Sequence, residues 1–133
     1  MSLSDRELEA LATRVMDAAF AVHRALGPAF PESFYERAMM LELAAKQIPA
    51  QSQAPVDVFF RGERIGEGRI DILVDRRIVL ELKVGEPNPR KHAAQVRSYL
   101  AATRLQLGFA INFSQPLLKD SIHRVIMTNH PPL

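Results

Sequence analysis

The stretch Ile78-Val79-Leu80-Glu81-Leu82-Lys83-Val84 is an apolar run broken by a carboxylate and an ammonium two positions apart. Strand side chains alternate faces, so Val79, Glu81 and Lys83 share one face and Ile78, Leu80, Leu82 and Val84 the other. A second carboxylate, Asp71, lies in Arg69-Ile70-Asp71-Ile72-Leu73, and a tight turn at Asp75-Arg76-Arg77 would lay it beside Glu81. Two carboxylates that close repel each other, which raises a pKa or demands a cation. Oxygen ligands of this kind suit Mg²⁺ or Mn²⁺, and a nearby lysine can orient or deprotonate a water. This is the minimum equipment for phosphodiester hydrolysis. The plainer alternative is an antiparallel sheet with one wet face, on which Glu81 and Lys83 are merely solvated.

The elements that must position these residues are legible in the periodicity. Ser4 as N-cap with Asp5 and Glu7 in the first turn, then Leu8, Leu11, Val15, Ala18, Ala19 and Val22, predict an amphipathic helix that stops at Leu26-Gly27-Pro28. A second helix is expected from about Pro31 through Glu32, Tyr35, Met39 and Leu43 to Lys46. The period then changes: Val56–Phe60, a turn at Arg61-Gly62-Glu63-Arg64, a strand continuing through Arg69–Val74, and the opening stretch together predict a three-stranded antiparallel meander. Asn88-Pro89 opens a helix over about Arg90–Ala102, with Ala93, Val96 and Leu100 as its apolar stripe. Leu107–Asn112 and Ile122–Met127 read as two further strands, and the His-Pro-Pro-Leu tail is expected to fray. This order predicts a mixed central sheet flanked by helices, of α/β or α+β type, in one domain over residues 1–133.

Composition narrows the chemistry. The 133 residues include no cysteine, which excludes disulfides, thiolate metal sites and cysteine nucleophiles. The start MSLSDRELEA lacks the basic and apolar regions of a signal peptide, and no segment reaches spanning length, so the expected location is cytoplasmic, with no membrane partner. A net charge of +2 is only a mild bias toward polyanions. Arg61, Arg64, Arg69, Arg76, Arg77, Arg90, Lys91 and Arg97 do concentrate mid-chain, as a solvated surface also would.

Asp71 followed by Glu81-Leu82-Lys83 resembles the D…(D/E)xK core of the PD-(D/E)xK nuclease superfamily, with Ile70 where that motif's loosely kept proline would be. The segments Val22-His23-Arg24-Ala25-Leu26-Gly27-Pro28 and Glu32-Ser33-Phe34-Tyr35-Glu36 resemble the signature of the "GxxExxY" family of small bacterial proteins within it, with Ala29 in place of the opening glycine. Gly66–Val74, Ala94-Gln95 to Tyr99-Leu100, and Leu107-Gly108 to Asn112-Phe113 extend the likeness over roughly residues 10–127.

The resemblance implies a restriction-endonuclease-like αβββαβ core and a metal-dependent nuclease acting on nucleic acid, DNA ahead of RNA. It implies Asp71, Glu81, the Leu82 carbonyl and Glu32 as ligands of Mg²⁺ (or Mn²⁺), and Lys83 as the residue that positions water. Gln95 and Tyr99 match the QxxxY element of the RecB-like branch and would support metal and substrate. His23, near a helix C-terminus that favours a cation, is expected in a structural or supporting role. The chain lacks an evident DNA-reading module, so a homodimer or a partner protein could supply phosphate contacts. The alternative is a non-catalytic nucleic-acid-binding or regulatory protein on the same fold; a toxin or defence component acting with a partner is a variant of the first reading.

Overall fold

The amphipathic N-terminal pattern forms α1 (Leu3–Leu26), and α2 (Glu32–Ala45) follows after the Gly27-Pro28 break; the computed structural model describes residues 3–132. The side chain of Ser4, expected as a cap, lies outside what is described. Ala12, Val15, Ala18, Ala19 and Val22 of α1 and Tyr35, Met39 and Leu43 of α2 are buried together, as three- and four-residue spacing requires. Tyr35 anchors the link between the helices: its ring stacks on Phe113 with centroids 4.6 Å apart, and its hydroxyl donates to the Gly27 carbonyl and accepts from the Phe30 N–H.

The strands are β1 (Ala50–Phe60), β2 (Glu63–Val74), β3 (Ile78–Lys83), β4 (Leu107–Asn112) and β5 (Ile122–Ile126), with α3 (Pro89–Thr103) between β3 and β4 and a 3-10 turn at Leu118–Ser121. They lie side by side in chain order. β1–β2 and β2–β3 are antiparallel, β3–β4 is parallel across the α3 crossover, and β4–β5 is antiparallel. The expected mixed sheet and meander are present. β1 starts six residues before the expected Val56, because Pro55 lies within it, opposite Arg69. Proline is tolerated there because β1 is an edge strand, where a missing N–H breaks no ladder.

The plainer alternative of one wet face fails. Ile72, Val74, Ile78, Leu80, Leu82, Phe109 and Ile111 pack under α1 and α2, while Val79, Ala110 and Val125 pack under Val96 and Leu100 of α3. Both faces of β3 are covered, and Glu81 is left 1% exposed. Close approach of α3 depends on Gly108, where a Cβ would stand 2.5 Å from Val96 Cγ1 and 3.0 Å from the Val79 carbonyl oxygen. Two residues of the tail expected to fray are tied down: Arg104 donates to the Pro131 carbonyl at 2.7 Å, and His130 Nε2 lies 2.9 Å from the Leu105 carbonyl; Leu133 lies outside the described residues.

The first two strands change faces midway. Ala50 and Ile72 belong to the α1–α2 side, whereas Ala54 and Ile70, of the same parity, belong to the α3 side. The inversion falls at the one position between them: the ladder passes from Ser52↔Ile72 to Ala54↔Ile70, skipping Gln53 and Asp71, and Gln53 has φ 51°. Asp71 therefore sits at a kink, which frees its side chain from the ordinary alternation.

Candidate functional site

β2 and β3 pair only from Val74↔Ile78 to Ile72↔Leu80. Past that point carboxylates replace the backbone rungs. Glu81 Oε2 accepts the Asp71 N–H at 2.8 Å, and Asp71 Oδ2 accepts the Leu82 N–H at 2.8 Å. Each acid is thus fixed through one oxygen by a backbone N–H of the neighbouring strand. In a strand the N–H and C=O of one residue point to the same side, so the Leu82 carbonyl faces the same opening as its N–H. Lys83 points its backbone the other way, its carbonyl accepting from Phe113 N–H at 2.9 Å.

The electrostatics match this crowding. Burial pushes Glu81 up to about 8, and the charges of Asp71 and Glu32 push the same way against the opposing pull of Lys83 and the Asp71 N–H. Asp71 is also raised, by burial above all, against the Leu82 N–H and Lys83, which favour its charged form. Glu32, in the first turn of α2, is raised by burial and then by Asp71. Lys83 is half-buried, and its ammonium favours the ionised forms of Asp71, Glu81 and Glu32 alike. The expected set Asp71, Glu81, Lys83 and Glu32 is therefore brought into one electrostatic neighbourhood.

Two residues join this set without having been anticipated. Glu36 shares the Glu32 face of α2, four residues on; its carboxyl is raised by burial, and it accepts from Gln53 Nε2 at 2.7 Å. Gln53 also hydrogen-bonds Asp71, favouring its charged form. The i, i+4 spacing could have identified Glu36, but nothing in the sequence marks Gln53 as lying across from Asp71. Tyr99 is packed over the β1–β2 hairpin: a Cβ at Gly68 would lie 2.8 Å from its Cε1. Gln95, one turn earlier, is half-buried. His23 is not part of the cluster. Its Nε2 lies 2.8 Å from the Gln115 carbonyl and its ring 6.4 Å from that of Phe113, which ties the end of α1 to the loop after β4.

Residues 9–125 match the model of the PD-(D/E)XK nuclease superfamily. The chain belongs to this superfamily. A comparison with curated proteins found no match. Among solved structures, the "Crystal structure of SSO0001" is similar, at 18% identity and a TM-score of 0.51, over 75% of this chain and 50% of that one. That likeness supports the fold, and the present chain spans about half the length of that relative.

PD-(D/E)XK nucleases generally use divalent metals, and the donors here can be tested against that use. Among the described residues no three His, Asp or Glu side chains converge into a ready-made cage. The buried acid pair, each member with a fixed carboxylate and a raised pKa, does fit a hard cation that completes its shell with water and substrate phosphate oxygens. No helix among the described residues is long and apolar enough to cross a membrane.

Proposed function

We propose that this superfamily member is a Mg²⁺- or Mn²⁺-dependent nuclease that hydrolyses phosphodiester bonds, with DNA as the first substrate to test. The observation that carries the reading is the pair of mutually braced carboxylates at the opening between β2 and β3, with Lys83 two residues beyond Glu81. Asp71, Glu81 and the Leu82 carbonyl would hold the ion, with Glu32 at its margin. A bound divalent ion lowers the pKa of water and neutralises charge developing on the phosphate.

The chain's own residues supply orientation. The Asp71 and Leu82 N–H groups fix the two carboxylates, Gln53 steadies Asp71, and Lys83 holds the attacking water as an ammonium or takes its proton as the neutral amine. Tyr99, lying against Gly68 of β2, and Gln95, one turn earlier on α3, would support metal and substrate. A second copy or a partner protein supplies the additional basic surface for phosphate contacts.

The non-catalytic alternative gains one specific support. The acid pair also satisfies two backbone N–H groups, so the fold has its own reason to retain it. Calorimetric titration of Mg²⁺ and Mn²⁺ into the protein and its Glu81→Gln variant, beside cleavage assays on single- and double-stranded DNA and RNA, decides between them. The nuclease reading expects metal binding lost in the variant and metal-dependent cleavage by the unaltered chain. Absence of both, with nucleic acid present, leaves the binding or regulatory protein.

A further inference from the structure

A cleft of about 360 Å³ opens beside the carboxylates, between the start of α3 and the β4–β5 edge, and neither Asp71, Glu81 nor Lys83 lines it. Its position is fixed by the sheet register. Glu81 pairs with Ala110, and Ala110 pairs with His123, so the three form one lateral row. Ala110 packs on the α3 side with Val79, which places the row on that face. Adjacent strands lie about 4.8 Å apart, which puts His123 on the order of 10 Å from Glu81. Ala110 is too small to fill the space between them, and His92 of α3 closes it from above.

The walls favour one chemistry. Pro89, Pro116 and Leu117 give apolar surface, and His92 and His123 give flat rings. Burial, then Lys83, Lys91 and His123, hold His92 below the usual histidine range, so its ring is neutral at neutral pH and suited to stacking. Among the described residues no lysine or arginine lines the cleft, and Asp120 contributes a carboxylate. A phosphate would find no lysine or arginine in the wall itself, with Lys83 and Lys91 acting on His92 from outside it, whereas a nucleobase could stack on the rings and offer its ring or amino N–H groups to Asp120. The volume falls at the lower end of the roughly 300–1,000 Å³ of small-molecule clefts.

The loops that wall the cleft are tied together. Asn112 Nδ2 donates to the Gly85 carbonyl at 3.1 Å while its Oδ1 accepts from Ser114 N–H at 2.9 Å, and Ser114 Oγ accepts from Gly85 N–H at 2.7 Å. These bonds join the loop after β3 to the loop after β4, and His23 holds the latter through Gln115.

We propose that this cleft receives the base of a nucleotide next to the scissile phosphate, turned out of its stack, so that the protein acts on unpaired strands or ends. The proposal deepens the nuclease reading and rests on it for the word scissile, but base binding is measurable without metal or cleavage. A flipped or unpaired base is what such a recess can reach, since a base in a duplex is closed off by stacking.

The four histidines supply the assay. Imidazole resonances of the metal-free protein are followed by NMR during titration with the four deoxynucleoside monophosphates and, separately, with deoxyribose 5-phosphate. His92 and His123 are expected to shift with at least one mononucleotide while His130, held at the far end of α3 by Leu105, stays still. The base-free sugar phosphate is expected to bind at least fivefold more weakly. His123→Ala should weaken mononucleotide binding at least fivefold, as should Leu117→Trp, a filling substitution at an exposed position of the cleft wall. Equal affinity for the sugar phosphate, shifts that include His130 equally, or no shift at all would overturn the proposal. Base binding without metal-dependent cleavage would retain the cleft and reject the nuclease; cleavage without base binding would do the reverse.

Discussion

Replacing Glu81 by Gln should change how stability depends on pH. In the folded protein Glu81 ionises at about 8, against an ordinary glutamate near 4.5. Between those values the native state binds more protons than the unfolded chain, so stability falls as pH rises. At about 1.4 kcal/mol per pH unit the full separation is worth on the order of 5 kcal/mol. Protons shared with Asp71 and Glu32 reduce what one residue carries, so we expect a fall of about 2–4 kcal/mol between pH 5 and pH 9. His92 has the opposite sign: its folded pKa is depressed, so its contribution grows as pH rises through the ordinary histidine range. The assay is urea unfolding followed by circular dichroism at one-unit pH steps. The Gln variant keeps the acceptor for the Asp71 N–H and removes the ionisation, so its stability should be nearly level above pH 7 and should exceed that of the unaltered chain at pH 9. Mg²⁺ at high pH should raise the midpoint of the unaltered chain and leave the variant unchanged. A variant curve that falls in parallel with the unaltered one would refute the assignment of the titration to Glu81.

Lys83→Met should leave divalent-metal binding by calorimetry intact and reduce cleavage by about 10²–10⁴-fold, the usual worth of a positioned proton-transfer group. Gly108→Ala should destabilise the protein by about 1–3 kcal/mol in urea unfolding, because the added methyl meets Val96 and the Val79 carbonyl at close range. Tyr35→Phe should reduce stability by about 1–3 kcal/mol, since the Gly27 carbonyl and Phe30 N–H lose a shared hydroxyl while the stack on Phe113 persists.

Much of the scaffold is legible from local signals. Gly27-Pro28 and Asn88-Pro89 bound helices because each alters the backbone in a fixed way, and β4 coincides with the apolar run Leu107–Asn112. The acid pair was legible too, since Asp71 and Glu81 flank a short turn. The errors have tertiary causes. Whether Pro55 interrupts a strand depends on which edge of the sheet it occupies, and the wet-face alternative gives too little weight to Val79, the apolar residue that shares a face with Glu81 and Lys83. The partnership of Gln53 with Asp71 and the cleft between His92 and His123 join segments distant in the chain, so no periodicity reports them.

Because Asp71 and Glu81 also complete the last rungs between β2 and β3, their removal has two effects. Alanine at Asp71 leaves the Leu82 N–H without its acceptor, and alanine at Glu81 does the same to the Asp71 N–H. In a living cell a chain weakened in this way is drawn off by proteases, and a change of 1–2 kcal/mol is enough to alter abundance several-fold. An alanine "dead" variant that loses a phenotype therefore reports scarcity as readily as inactivity. Asparagine at Asp71 and glutamine at Glu81 retain an acceptor oxygen on each rung, and they are the substitutions with which protein level and activity can be read apart.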